Sequence, residues 1–301
     1  MASDYPSDQR QSLGAQSMLF TELMHEDEGS ARTSLSASAA RVIRRRMDSL
    51  GVPAGLVEAL LPLLPASLTG VLVYGSWARG DARGVSDLDV LVLDETGISP
   101  KPDDRISLSF YSEQQLREAT GTLFGFHLAR DGKVVLDGQG QLGRTLAAIE
   151  PPDPEVLLEK IRRLSAVLTV NSHELASYLP GLTQVARYLL RSALYAEALK
   201  DGNPSFSVGD LAVRRDDPSL RELLSSHANE QHPASASTFA ELQERLERVV
   251  GAPPDDAAGK SLEAVVVEAW PLDRDLSNLA LLALGTESEG VPYSELPKVV
   301  L

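Results

Sequence analysis

Two aspartates, Asp87 and Asp89, stand two residues apart at the head of an apolar run, and upstream of them Gly75-Ser76 closes another, Val71 to Tyr74. On a strand that spacing sends both carboxylates to one face, with Cα atoms roughly 6.6 Å apart. Two ionised carboxylates so close repel each other. A divalent cation between them removes the conflict, and magnesium prefers carboxylate and phosphate oxygens. Gly75 lets the backbone approach a ligand with no Cβ in the way, and the N–H groups after it can form an anion cradle to which Ser76 adds a hydroxyl. The residues describe a phosphate cradle facing a metal clamp.

The elements that must hold this arrangement are short. Val71 to Tyr74 and Asp87 to Leu93 read as buried strands joined by a Gly/Arg-rich loop that contains Arg79-Gly80 and Ser86. Arg79 serves that loop either by neutralising a phosphate or by bracing it through an ion pair. A third strand is expected over Arg105 to Tyr111, whose alternation puts Ile106, Leu108 and Phe110 on one face and Ser107 and Ser109 on the other. Ser112-Glu113-Gln114-Gln115-Leu116 then opens a helix.

The pattern Gly75-Ser76, Arg79-Gly80, Ser86-Asp87-Leu88-Asp89 resembles the signature of the DNA polymerase β-like nucleotidyltransferase superfamily, closest to its minimal and antibiotic (aminoglycoside) nucleotidyltransferase branch. The resemblance is carried by the coincidence of Gly-Ser, loop length and paired aspartates between two strands. It implies an α+β chain, with a small mixed-sheet nucleotidyltransferase core followed by an all-helical bundle domain. It also implies metal-dependent transfer of a nucleoside monophosphate, AMP first among them, from ATP or another NTP to a hydroxyl of a small molecule or protein. Asp87 and Asp89 would be the catalytic metal ligands for Mg2+, in one- or two-metal form, and Gly75, Ser76, Arg79 and Ser86 the nucleotide contacts. Members of the superfamily usually carry a third carboxylate on the neighbouring strand, where this chain has Ser107, with Ser109 the next possibility. Asp103 and Asp104 substitute only under a different register. Three readings follow: an enzyme whose base comes from elsewhere, an antitoxin-like or regulatory protein, and a non-catalytic nucleotide-binding module.

Composition narrows the classes. The 301 residues include 43 acidic and 28 basic side chains, a formal charge of -15, which argues against a duplex nucleic-acid groove. The same balance would attract a polycationic acceptor. With no cysteine, disulfides, thiol catalysis and cysteine-ligated zinc are excluded. The first residues lack the basic and apolar regions of a secretory signal, and no apolar run approaches the roughly 18 residues of a membrane span, so a cytoplasmic protein is expected. The five histidines, at 25, 127, 173, 227 and 232, show no metal-ligand spacing and read as surface or core residues.

Along the chain, residues 1–33 are polar and expected to be disordered, 34–150 to form the nucleotidyltransferase domain and 151–301 the helical bundle. Helices are expected over about 36–50 and 54–63. Arg44-Arg45-Arg46 on the first is a solvated face before it is an anion site. Asp131-Gly132 between Leu123–Arg130 and Lys133–Asp137 predicts a β-hairpin. The proline run 151–154 marks the domain boundary. Beyond it helices are expected at about 154–178, 181–200, 207–214, 218–227, 236–250 and 260–284. Leu182, Val185, Leu189, Ala193 and Ala196 form one stripe, broadened by Ala186, Leu190 and Leu194, which predicts a central helix. On that helix Arg187 and Arg191 are like charges at i,i+4. Either an anion such as the triphosphate lies between them, or they snorkel or pair with Glu174 or Glu197; those two glutamates are also candidates for the missing base.

Overall fold

The continuous apolar runs of the first two strands dictate a sheet covered on both faces. The computed structural model describes residues 35–84, 86–94, 105–224, 234–285 and 301, and Leu35–Leu301 forms one compact unit. Four strands, β1 (Gly70–Tyr74), β2 (Leu88–Leu93), β3 (Ile106–Tyr111) and β4 (Lys133–Asp137), form a mixed sheet in the order β3-β2-β1-β4. β1 runs antiparallel to β2 and β4, while β2 and β3 are parallel. Val71, Val73, Val90, Val92 and Ile106 turn to one face, where they meet Ile43 and Met47 of helix α1 (Ala37–Ser49) and Leu56, Val57 and Leu60 of α2 (Ala54–Leu60). Leu72, Leu91 and Leu93 turn to the other and meet Leu116, Leu128, Leu142 and Leu146. Period-two burial on both faces makes the register costly to slip, since a one-residue shift would exchange the two faces.

Ser36 caps α1, and Arg44 on its exposed side is engaged by Glu58 at 2.7 and 3.0 Å, so at that position the arginine run is a solvated face. Between β1 and β2 lies the five-residue α3 (Gly75–Arg79), closed by Gly80 in the left-handed region at φ 78°. A capping box of Ser112 and Gln115 opens α4 (Glu113–Glu118), as expected from its sequence.

The expected hairpin around Asp131-Gly132 is not formed. Residues Leu123–Asp131 are helix α5, capped by the Thr122 side chain on the Gly125 N–H at 3.0 Å. A two-residue hairpin of the favoured type needs positive φ at both central positions, yet Gly132 sits at φ -61°, ψ 145° and its N–H closes the helix on Leu128. The apolar residues here serve two faces of a helix. Leu123 and Phe126 join the cluster of the helical region, whereas Phe124 and Leu128 join the sheet cluster. α5 therefore bridges two cores. Helix α6 (Gln141–Ala147), not expected from sequence, follows β4; Asp137 accepts the Leu142 and Gly143 N–H groups at its start.

After the proline run the chain is helical. The helices are α7 (Pro154–Leu164), α8 (Ser172–Ser177), α9 (Leu179–Lys200), α10 (Val208–Arg214), α11 (Ser219–Leu223), α12 (Ala236–Val250), α13 (Leu262–Ala269) and α14 (Arg274–Gly285). The stripe on α9 is buried throughout, from Leu182 to Ala196, and packs against Leu157 and Ile161 of α7, Leu242 and Leu246 of α12, and Leu279 and Ala280 of α14. Two of the expected long helices are broken. Residues 165–169 narrow to a 3₁₀ turn before Asn171 caps α8, and Pro271 ends the run at α13 because it lacks the N–H to continue it. Asp273 then accepts the Leu276 N–H and starts α14. The expected disordered segment 1–33 lies outside the described residues, as do residues 225–227 of the helix expected at 218–227. Among the described residues no helix is long and apolar enough to cross a membrane.

Candidate functional site

Register builds the site. Tyr74 on β1, Asp89 on β2 and Ser107 on β3 are mutual partners across the sheet, so their side chains leave the same face in one row. Asp87 lies just ahead of β2, not within it as expected, and is close enough for its charge to act on Asp89. The sheet thus places Ser107 beside Asp89, where the resemblance leads one to expect an acid. Its hydroxyl and that of Ser109 are hydrogen-bonded to the Tyr74 phenol, which burial and the neighbouring Asp89 hold well above its ordinary pKa.

Gly75 is what lets Asp89 lie where it does. Its φ is 71°, and a Cβ built there would stand 2.2 Å from Asp89 Oδ2. The carboxylate rests directly against the first residue of α3, and no other residue has both the dihedral and the space. Asp89 is raised to about 7, first by burial and then by the charge of Asp87; Arg79 and Arg191 pull it back down. Three other charged candidates, Asp87 from the loop, Arg79 of α3 and Arg191 of α9, therefore act on one carboxylate of β2. Two acids crowd each other and two guanidiniums only partly compensate.

Arg79 braces the loop, as one of its two readings anticipates. Its Nε and Nη2 lie 3.4 and 3.3 Å from the two carboxylate oxygens of Asp81, and Nη1 lies 3.2 Å from His127 Nε2. Because a guanidinium only donates, His127 Nε2 is the acceptor and the imidazole is neutral. Burial, Arg79 and Arg130 push His127 down to about 3. The ring lies flat on Phe206, 4.5 Å between centroids at 10°, and edge-on to Tyr74. Tyr195, half-buried beside Phe206, has its pKa raised by desolvation and lies in the field of Arg191, Arg79, Asp81 and Asp131.

The remaining candidates are placed less centrally. Ser76 is half-buried in the first turn of α3, which has no side-chain cap. The Ser86 hydroxyl accepts the Arg83 N–H at 2.8 Å and tightens the turn leading to Asp87. Arg187 is buried, and its Nε donates to the Leu223 carbonyl at 3.1 Å; burial and Arg191 lower its pKa. Arg191 Nη2 donates to the Leu224 carbonyl at 2.5 Å. Both arginines thus close the C-terminal end of α11, where exposed carbonyls attract cations. Their expected pairing with Glu174 or Glu197 is not made, because Glu174 accepts the Leu262 N–H at 2.9 Å and Glu197 pairs with Arg215. Neither glutamate contributes to the charge around Asp89, so neither stands as its base. Arg191 differs from Arg187 in reaching that carboxylate electrostatically, and its Nε is buried with no hydrogen-bond partner among the described residues. Asp103 and Asp104 lie outside the described residues, and the β2–β3 register assigns the place beside Asp89 to Ser107.

Among the described residues no group of three or more acidic, histidine or cysteine side chains converges in metal-ligand geometry. The pair Asp87 and Asp89 is the acidic core of the site. Asp81, His127, Tyr195 and Ser207 were not singled out as site residues from sequence. The available signal was the Asp-Ala-Arg segment next to Arg79-Gly80; nothing local ties a lone His on a misassigned strand to it. Compared with protein-family models and with curated protein sequences, the chain matches none.

Two expectations follow from this geometry. Gly75→Ala should destabilise the protein by more than Gly80→Ala in urea unfolding. Both have positive φ, about 1–2 kcal/mol of strain for a non-glycine residue, but a Cβ at Gly80 meets open space whereas at Gly75 it strikes Asp89. Equal losses would show that the Asp89 contact is not tight. The second concerns pH. With Asp89 near 7 in the folded chain and near an ordinary carboxylate value of about 4 when unfolded, the folded state holds the extra proton between those values. Stability contributed by this group therefore falls as pH rises through that window. In chelator-treated samples Asp89→Asn should gain on the wild type between about pH 5 and about pH 8 in urea melts. A difference that does not change with pH would contradict the raised pKa.

Proposed function

We propose that the chain is a metal-dependent nucleotidyltransferase of the polymerase β-like kind, transferring a nucleoside monophosphate from an NTP to an acceptor hydroxyl. The observation that carries this reading is the half-buried Asp89 carboxylate, set against the backbone of Gly75 with Asp87 crowding it and its charge only partly offset by Arg79 and Arg191. Two carboxylates this close, with Asp89 raised by burial and by its neighbour, are a donor set that suits Mg2+, and Asp87 and Asp89 would hold it. Bound there, the ion supplies charge neutralisation to the phosphates. With Ser107 in the third position, the set fits a single ion on two carboxylates better than a three-carboxylate, two-metal site.

The chain's own groups do the rest. The N–H groups after Gly75 have no side-chain cap and are oriented for phosphate oxygens, with the Ser76 hydroxyl beside them. Arg79 and Arg191 add positive charge on the same side of the sheet, where it opposes the charge that develops as pyrophosphate departs. The acceptor oxygen bonds to the α-phosphorus, the bridging P–O bond to pyrophosphate breaks, and the acceptor proton goes to water or to a base other than Ser107. A small hydroxylated molecule and a protein side chain both remain acceptor classes, and a reaction that consumes an NTP suits the expected cytoplasmic location.

A second reading, nucleotide binding without transfer, is favoured by one observation: Ser107 occupies the strand position beside Asp89. The two are separated by incubating the protein with magnesium, an α-labelled NTP and candidate acceptors. Transfer is expected from the wild type and its loss, by at least about a hundredfold, from Asp87→Asn combined with Asp89→Asn. Transfer surviving that double change would show the metal site to be wrong. For the second reading, the wild type would bind nucleotide without turnover, and Ser107→Asp would introduce magnesium-dependent transfer; no gain from Ser107→Asp would count against it.

A further inference from the structure

We propose that His127 and the Phe206–Ser207 segment are positioning residues that aim the Arg79 guanidinium at the phosphates of a bound nucleotide, an inference that rests on the nucleotidyl-transfer reading.

Three of the five N–H donors of Arg79 are already directed. Nε and Nη2 face Asp81 at 3.4 and 3.3 Å, and Nη1 faces His127 at 3.2 Å, which among the described residues leaves one donor on each terminal nitrogen. An isolated arginine–aspartate pair at a surface holds little, because long side chains lose entropy and solvent screens the charges. Here each partner is itself fixed from the helical region. Ser207 Oγ donates to Asp81 Oδ2 at 2.7 Å, while Phe206 lies flat against the His127 ring at 4.5 Å. Phe206 is 4% exposed and is held in turn by Phe126 and Tyr195, at 6.0 and 5.1 Å. The arginine is thereby gripped from both sides, on the same face of the sheet as Asp89, whose charge it partly offsets. A planar fork with two donors still open and its rotamer chosen on folding is suited to phosphate oxygens, since the entropy of ordering it is not lost again on binding.

A purely structural role would use the same contacts to fasten the loop to the helical region, changing stability but not nucleotide affinity. Calorimetry with magnesium and a non-hydrolysable ATP analogue separates the two, alongside thermal melts of each variant. His127→Phe keeps a ring on Phe206 and removes the acceptor; it should raise the analogue Kd about tenfold. His127→Gln, which retains an acceptor oxygen, should return affinity to within about threefold of the wild type. In an Arg79→Ala background, His127→Phe should change Kd no further, because its effect passes through Arg79. Should His127→Phe fail to fold, Arg79→Lys carries the test: one ammonium cannot serve Asp81, His127 and phosphate together, so its Kd should also rise. Wild-type binding with unchanged Kd in the folded variants, or an undiminished His127→Phe effect without Arg79, overturns the inference alone. No binding by the wild type overturns it together with the nucleotide reading.

Discussion

Asp89 lies on the backbone of Gly75, at a distance that no side chain at that residue would permit. The contact needs the antiparallel pairing of β1 and β2, which sets Tyr74 opposite Asp89 and delivers Gly75 as the next residue, and it needs the abrupt turn into α3. Once the carboxylate is set there, half-buried, the electrostatics follow. Desolvation and Asp87 both oppose its ionisation, and the arginines drawn toward it from α3 and α9 relieve part of that cost. The valine and leucine faces of the sheet can be understood as the scaffold that keeps this row in register, since a slip of one residue would turn Asp89 onto the face of Val71, Val73, Val90 and Val92.

The helical region is joined to this row through α5 and the Phe206–Ser207 segment. α5 sends Leu123 and Phe126 into the helical cluster and Phe124 and Leu128 into the sheet cluster, with His127 on the seam between them. The helical region is thereby tied to the loop after α3, because Ser207, Asp81, Arg79 and His127 are linked by successive polar contacts. Arg191 is restrained from the same side by the end of α11. Two cores, one polar seam and one half-buried carboxylate account for the arrangement around Asp89.

Much of this was legible before any coordinates. The three motif strands, the opposite faces of Ser107 and Leu108, and the stripe on α9 all follow from periodicity, because burial on one face leaves a repeat of two or 3.6 residues in the chain. The place of Ser107 beside the aspartates came from the resemblance, since periodicity fixes a strand's faces and leaves its partner open. What was not legible depended on contacts distant in sequence. Leu123 to Asp131 looks like a strand because its apolar residues serve two cores, so no single helical stripe stands out, and that error hid the position of His127. The tie between Ser207 and Asp81 spans two segments with no shared pattern. Arg187 and Arg191 were rightly noted as a conflict of like charges; the relief comes from the carbonyls of Leu223 and Leu224, which no charge pattern can foretell.

The central claim is that Asp87 and Asp89 bind the cation of a metal–triphosphate complex on the face that Gly75 leaves open. Crystals grown with Mn2+ and a non-hydrolysable nucleoside triphosphate test this through the anomalous signal of manganese. The account predicts an anomalous peak within coordinating distance of both carboxylates, with triphosphate oxygens on the N–H groups after Gly75 and on Arg79. Nucleotide bound elsewhere in the molecule, or a peak on other side chains while Asp87 and Asp89 remain without metal, would contradict it.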